Sequence, residues 1–334
     1  MNALLVAVVL VVVVALVFDY INGFHDTANA IATVVSTGVL PMRTAVLAAA
    51  ALNFVGAFMG TAVASTLGKG LIAADAVSQA VVLSALLGAI VWNLFTWYFG
   101  IPSSSSHALV GGLVGAAVAR RGTDAVQVAG LTKVVKALVL SPIAGFAIAF
   151  VLMIVIMWIV RRSRPEKVHS AFRKLQLVSA GFMAISHGSN DAQKTMGIVT
   201  MSLVAYGFLP ATGFSVPLWV IIACATAMAL GTASGGARII RTMGTKIIAL
   251  QPIHGFAAET ASAITILTAS HLGLPVSTTH VITGSILGAG ASVRVSAVHW
   301  GVTTRILWAW VFTIPVSAGV GWACYQAVHR ILPG

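Results

Sequence analysis

Two short polar segments, far apart in the chain, carry residue types that could bind an ion inside an apolar setting. The first is Gly23-Phe24-His25-Asp26-Thr27-Ala28-Asn29 and the second is Gly188-Ser189-Asn190-Asp191-Ala192-Gln193-Lys194. Both read Gly-x-(His/Asn)-Asp with a polar residue three places after the aspartate. On a helical turn that spacing brings both side chains to one face. A carboxylate from Asp26 and an amide oxygen from Asn29 suit a hard cation such as Na⁺, and Asp26 alone could relay a proton. In the second segment Lys194 stands where Asn29 stands in the first. An ammonium there takes the place of a bound cation beside Asp191, so coupling is expected to use protons or a single ion.

A second pair of segments suits an anion. Pro102-Ser103-Ser104-Ser105-Ser106-His107 matches Pro275-Val276-Ser277-Thr278-Thr279-His280, and glycines follow at the same places, Gly111 and Gly115 against Gly284 and Gly288. Serine and threonine are strong N-caps, and a helix N-terminus presents unpaired N–H groups with positive partial charge. Such an end binds anions. Two of them facing each other would offer the hydroxyls of Ser104, Ser105, Ser106, Ser277, Thr278 and Thr279, a cage suited to a tetrahedral oxyanion that wants donors on all sides. Ordinary capping in a helix bundle is the plainer role for these residues. The Gly-xxx-Gly spacings read as close helix packing.

The chain has 334 residues, of which 59% are hydrophobic and 8% charged. Soluble domains carry about 25% charged residues, so lipid must be the solvent over most of the surface. Each carboxylate can therefore be weighed singly. Asp19, Asp26, Asp191 and Glu259 fall within or beside apolar runs, where a charge is costly and by default functional. Asp26 and Asp191 are a matched pair; Glu259 is a further candidate, and Asp19 has no acidic counterpart. His25, His187, His107 and His280 could move protons or merely bond a carbonyl. Cys224 and Cys324 sit in apolar runs and read as small buried residues. The net charge of +12 resides in short connections, chiefly 161–174. That is the positive-inside pattern and excludes a nucleic-acid reading. The run 4–18 reads as the start of a first helix, not a signal peptide.

Apolar runs recur at about ten places, several too short to span a bilayer alone. Gly188 falls 165 residues after Gly23, and His280 falls 173 after His107. Two motif pairs in one order at nearly one offset mean a duplicated unit. If each Pro-to-His segment tips a re-entrant hairpin, each half keeps three full crossings; an odd number inverts the second half relative to the first. The expected fold is all-α: a polytopic membrane protein with two inverted-topology repeats, broken helices and two re-entrant hairpins. Residues 1–160 form the first repeat, 161–174 a basic cytoplasmic linker and 175–334 the second repeat.

At these residues the chain resembles the inorganic phosphate transporter (PiT) family, over essentially its whole length and through all four motifs. The resemblance implies a secondary transporter for phosphate, with phosphate held by Ser104, Ser105, Ser106, Ser277, Thr278 and Thr279. It places Asp26, Asn29 and Asp191 in the ion and phosphate site. With their neighbours, the coupling set is His25, Asp26, Asn29, Asn190, Asp191, Lys194 and Glu259. Sodium-coupled members usually read Gly-x-Asn-Asp-x-x-Asn in both halves. His25 and Lys194 here look more like the bacterial low-affinity type, which is similar in being proton-coupled and in taking metal–phosphate complexes. The implied setting is the bacterial inner membrane, multi-pass. The implied partners are inorganic phosphate, a coupling cation (a proton or Na⁺) and the lipid bilayer, with a homodimer left open. No catalytic residue, resident metal or other cofactor is expected. A sulfate permease of the same fold stays open, as do an intramembrane metalloenzyme using Asp26, Asp191, His107 and His280, and a passive anion channel. Against the metalloenzyme, no tight His-x-x-x-His or Glu-x-x-His spacing occurs. Against sulfate, a bare carboxylate near the cage would repel an ion that has no proton to donate.

Overall fold

The computed structural model describes residues 3–210 and 213–331, so the outermost residues of both expected repeats lie outside the described residues. Among the described residues, thirteen α-helices follow one another, beginning with α1 Ala3–His25, α2 Thr27–Ser36, α3 Met42–Gly56, α4 Ala62–Gly70, α5 Gln79–Tyr98, α6 Ser105–Arg121 and α7 Val128–Val160. Then follow α8 Pro165–Ala205, α9 Leu218–Ser234, α10 Ala237–Thr245, α11 Pro252–His271, α12 Thr278–Val293 and α13 Trp300–Val328. Among the described residues, β-pairing is limited to one isolated bridge between Ile72 and Val126.

The polarity is arranged inside out relative to a water-soluble fold. Large apolar side chains face outward on α7, where Leu140 is 59% and Trp158 63% exposed, while forty-odd polar or charged residues are buried. With hydrocarbon as solvent the outer face gains nothing from being polar, and the backbone must be satisfied within helices. By length and composition, four spans could cross a bilayer: Leu5–Ser36 (α1 with α2), α5, α7 and α13. Helices α9 and α10 qualify together as a pair bent by 71°.

The helix contacts of the two halves correspond. α6 packs on α13 and α12 on α7; α3 packs on α8 and α9 on α1; α4 packs on α8 and α10 on α2; α5 packs on α1 and α11 on α8. Exchanging each element for its counterpart in the other half converts one member of each pair into the other. The glycines permit the closest of these approaches. A methyl group at Gly111 or Gly115 would strike the backbone of Ile314 or Ala318, and one at Gly284 or Gly288 would strike that of Pro142 or Phe146. Pro142 and Pro315 lie inside α7 and α13.

The two signature segments differ in a way the sequence reading did not anticipate. A break separates α1 from α2 at Asp26, whose backbone sits at φ −94°, ψ 5°. The second segment is no break: α8 runs unbroken for 41 residues through Asp191. It also takes in Pro165 to Lys174, leaving only 161–164 as the turn between α7 and α8. Side chains along this stretch of α8 bond back to its own carbonyls. Ser186 and Ser189 donate to the carbonyls of Phe182 and Ser186, and Gln193 to that of Ser189. The Asp191 charge is met one turn away by Lys194. In the first half, Asn29 N–H closes instead on the Asp26 carbonyl at 2.9 Å, a tighter turn.

Two apolar clusters hold the molecule. Residues 8–18 and 196–203 belong to one, and residues 28–34 and 172–184 to the other. The polar stretches of α1–α2 and α8 lie between them, which sets the candidate site about two-thirds of the way along each.

Candidate functional site

The two Ser/Thr segments begin α6 and α12 in the same manner. Ser104 is the N-cap of α6 and Ser277 that of α12, each side-chain oxygen accepting from a histidine N–H three residues on, His107 or His280, at 3.2 Å. Pro102 and Pro275 stand just ahead of the caps, where a residue that cannot donate and that disfavours helix in its predecessor keeps the preceding chain from running into the helix. The two helix ends meet. Ser106 donates to the Val276 carbonyl at 3.1 Å, and Lys194 reaches both, 2.5 Å from the Ser106 hydroxyl and 2.8 Å from the Val276 carbonyl.

The carboxylates approach the same place from α1 and α8. Thr278 donates to Asp191 at 3.0 Å and Thr279 to Asp26 at 3.4 Å. The Asn29 amide donates to both threonines, at 3.2 and 2.9 Å. Lys194 pairs with Asp191. His187 lies 3.2 Å from the other Asp191 oxygen, and ligand atoms of Asp26, His187 and Asp191 fall within 4.8 Å of one another. Asn190 points the other way within the same layer, binding Ser270 at 2.8 Å and accepting from Val276 N–H at 3.4 Å. It positions the second tip.

His25 is paired to Asp26 through Nδ1 at 2.6 Å, and its Nε2 lies 3.0 Å from Thr96. A carboxylate only accepts, so with Asp26 ionised Nδ1 carries the proton. Ser103 donates to Thr96 at 2.8 Å, which ties the first tip to the His25–Asp26 pair. Thr96 and Ser103 were not singled out from sequence; a lone threonine in an apolar helix gives no signal. His107 and His280 stack on each other with ring centroids 4.5 Å apart, and His280 lies flat on Trp310 at 3.7 Å.

Glu259 is not part of this constellation. It receives Thr33 at 2.6 Å, Gln176 at 2.9 Å and Ser179 at 2.5 Å, joining α2, α8 and α11. Ser179 precedes Asp191 by twelve residues of α8, about 18 Å along the axis.

Every residue of the main constellation is buried. Several of its polar atoms have no partner: Asn29 Oδ1, Ser105 Oγ, His107 Nδ1 and His280 Nε2. Buried polar groups are ordinarily satisfied, so these atoms are free to receive a ligand. Its positive elements are Lys194 and two helix N-termini; its negative ones are Asp26 and Asp191. Such a mixture can take an oxyanion and a cation or proton side by side.

Comparisons with known proteins agree in kind. The phosphate transporter family, PHO4, matches residues 22–321. A probable low-affinity inorganic phosphate transporter of Rhizobium meliloti (strain 1021) is 52% identical over 321 residues, 96% of each chain. One so described from Bacillus subtilis (strain 168) is 48% identical over 333 residues, covering 99% of this chain and all of that one. Among solved structures, one titled the sodium-dependent phosphate transporter superposes with a TM-score of 0.90 at 25% identity, covering 98% of this chain and all of that one.

Proposed function

This chain belongs to the phosphate transporter family, and on that premise we propose that it imports inorganic phosphate by proton-coupled symport, binding the anion where the first turns of α6 and α12 meet. It is a membrane protein and a transporter, not an enzyme. The observation that carries the proposal is Lys194. Its ammonium joins Asp191, Ser106 and the Val276 carbonyl, so the second half brings its own fixed cation to the site.

Phosphate would lie against Ser105, Ser106, Thr278 and Thr279 and the N–H groups of both helix ends, with Ser104 and Ser277 holding those ends in shape. Asp26 is close enough through Thr279 to accept a phosphate O–H, which sulfate lacks. Two carboxylates near a dianion favour a substrate whose charge is reduced, by a proton or by a bound divalent metal. The repeats 1–160 and 175–334 would be of inverted topology about the meeting point, with 161–174 cytoplasmic and with α5–α6 and α11–α12 as re-entrant hairpins. The exchange-related helix contacts support that arrangement.

A second reading has its own observation. The unpaired Asn29 Oδ1 beside Asp26 is an oxygen set suited to one Na⁺, and the superposed structure is titled sodium-dependent. Uptake of radiolabelled phosphate by proteoliposomes separates the two. Under the proton reading, an inward pH gradient drives accumulation with choline in place of Na⁺, and arsenate competes better than sulfate. Strict dependence on Na⁺ would replace protons with sodium, and indifference to arsenate would remove phosphate as the substrate.

A further inference from the structure

Among the described residues four carboxylates are buried: Asp19, Asp26, Asp191 and Glu259. Three of them are answered. Asp26 has His25 and Thr279, Asp191 has Lys194 and Thr278, and Glu259 has three donors. Asp19 has neither an ion-pair partner nor a donor within hydrogen-bond distance of either oxygen, and it is 0% exposed. The Thr195 hydroxyl on α8 and the Cys224 thiol on α9 are the donors turned toward it, each beyond normal hydrogen-bond distance. Asn22 and Asp26 follow at three and seven residues, on the same face of α1.

An ionised carboxylate left without partners in a low-dielectric interior is heavily penalised, and in practice such a group takes up a proton. We propose that Asp19 is a proton-binding carboxylate of the transport cycle, set back from the phosphate-binding tips and coupled to them through Thr195 and the Asp191–Lys194 pair. The step binds one proton from water to a carboxylate oxygen and later returns it to water, with no change of oxidation state.

The placement suits the task. Asp19 lies seven residues before Asp26, about 10 Å along the helix. It is near enough to feel both Asp191 and Lys194, and Thr195 adjoins Lys194 in sequence. The titratable or charged groups facing it are Cys224 from α9, and Asp191 and Lys194 from α8; α5, also packed on α1, presents none. When Asp19 loses its proton, a third negative charge joins Asp26 and Asp191 around one ammonium, and an incoming anion is disfavoured. When it holds the proton, the balance that admits phosphate is restored. Proton occupancy and phosphate occupancy thereby favour each other, as symport requires.

This inference rests on the proton-symport reading, and its test keeps the two apart. Wild-type protein in proteoliposomes first establishes whether a pH gradient drives phosphate accumulation; if it does not, the symport reading fails on its own. With that in hand, Asp19→Asn is expected to lose accumulation down to the level of protein-free vesicles, while phosphate–phosphate exchange, which needs no net proton movement, continues. Asp19→Glu should recover accumulation. Difference infrared spectroscopy of the purified protein supplies a readout independent of transport: a protonated-carboxyl stretch that changes on phosphate binding and is missing in Asp19→Asn. Accumulation persisting in Asp19→Asn, exchange and accumulation falling together, or a carboxyl band unaffected by the substitution or answering to Na⁺ rather than pH would each overturn the proposal.

Discussion

Lys194 and Asp191 form an ion pair within one turn of α8, at the place where the corresponding turn of α1 and α2 holds Asp26 and Asn29. The two halves therefore bring different charges to one meeting point. In the first, Asp26 is met by the His25 imidazole and the Asn29 amide serves the threonines of α12. In the second, a fixed ammonium does both jobs, holding Asp191 and reaching across to α6 through Ser106. The halves correspond in their helix contacts but not in the charges they bring together.

Removing one partner of this pair should be costly. Lys194→Met leaves Asp191 buried with an uncompensated charge, and breaking a buried pair costs about 3–5 kcal/mol. Thermal unfolding in detergent should show that loss, and Asp191→Asn combined with Lys194→Met should recover much of it. If the double variant is no more stable than the single, the pair is not the source of the effect.

The serines of the first tip should separate cleanly into structure and binding. Ser104 caps α6, so Ser104→Ala should cost about 1 kcal/mol of stability. Ser105 Oγ has no partner within the protein, so Ser105→Ala should leave stability unchanged. It should weaken phosphate binding by about 1.5–3 kcal/mol, the worth of a hydrogen bond to a charged group. Calorimetric titration with phosphate beside unfolding measurements would show the two effects on different residues; the reverse assignment would mean that Ser105 is merely packed.

The meeting of the tips was legible because the motifs were duplicated with their glycines. Six hydroxyl positions and both aspartates were placed by type and spacing, and the structure brings them together. Other features left no trace in the sequence. The unbroken course of α8 through Asp191 is one, since the two motifs share their spacing and the sequence does not show which of them interrupts its helix. Thr96 and Ser103 gain meaning only because α5 carries Thr96 against His25. Glu259 read as part of one polar set, yet Thr33, Gln176 and Ser179 draw it into a separate cluster. Asp19 looked the weakest of the carboxylates because it lacks a counterpart, although that same lack of partners in three dimensions makes it the most informative.

The Glu259 cluster should respond to shape and charge differently. All its partners are donors, so the carboxylate is held as an acceptor joining α2, α8 and α11. Glu259→Gln can keep Thr33 and Gln176 on its oxygen while its N–H₂ donates to the Ser179 hydroxyl, so only the charge-assisted part of these bonds, about 1 kcal/mol, is lost. Glu259→Ala leaves all three donors without their acceptor, at about 1–3 kcal/mol for each that stays unsatisfied, and should be clearly less stable than Glu259→Gln. Unfolding curves for the two variants and the wild type decide the point. Equal stability of Glu259→Ala and wild type would show that these bonds contribute nothing to holding α2 against α8.

Replacing the fixed cation by a neutral amide tests the coupling. Lys194→Asn gives both halves the Asp-x-x-Asn pattern, and Asn retains a donor for Ser106 or Val276 but no charge. Asp191 would then need a mobile cation to reach the state that Lys194 now maintains. Phosphate uptake by Lys194→Asn should fall when driven by a pH gradient in choline, and should be partly restored by an inward Na⁺ gradient. Uptake measured against Na⁺ concentration would show saturation in the variant and a flat response in the wild type. The two carboxylates make the direction of the change firm: with the ammonium gone, two negative charges face an incoming anion, and only a cation taken from solution can offset them. An Asn variant as active in choline as the wild type would mean that the Lys194 charge plays no part in loading the site.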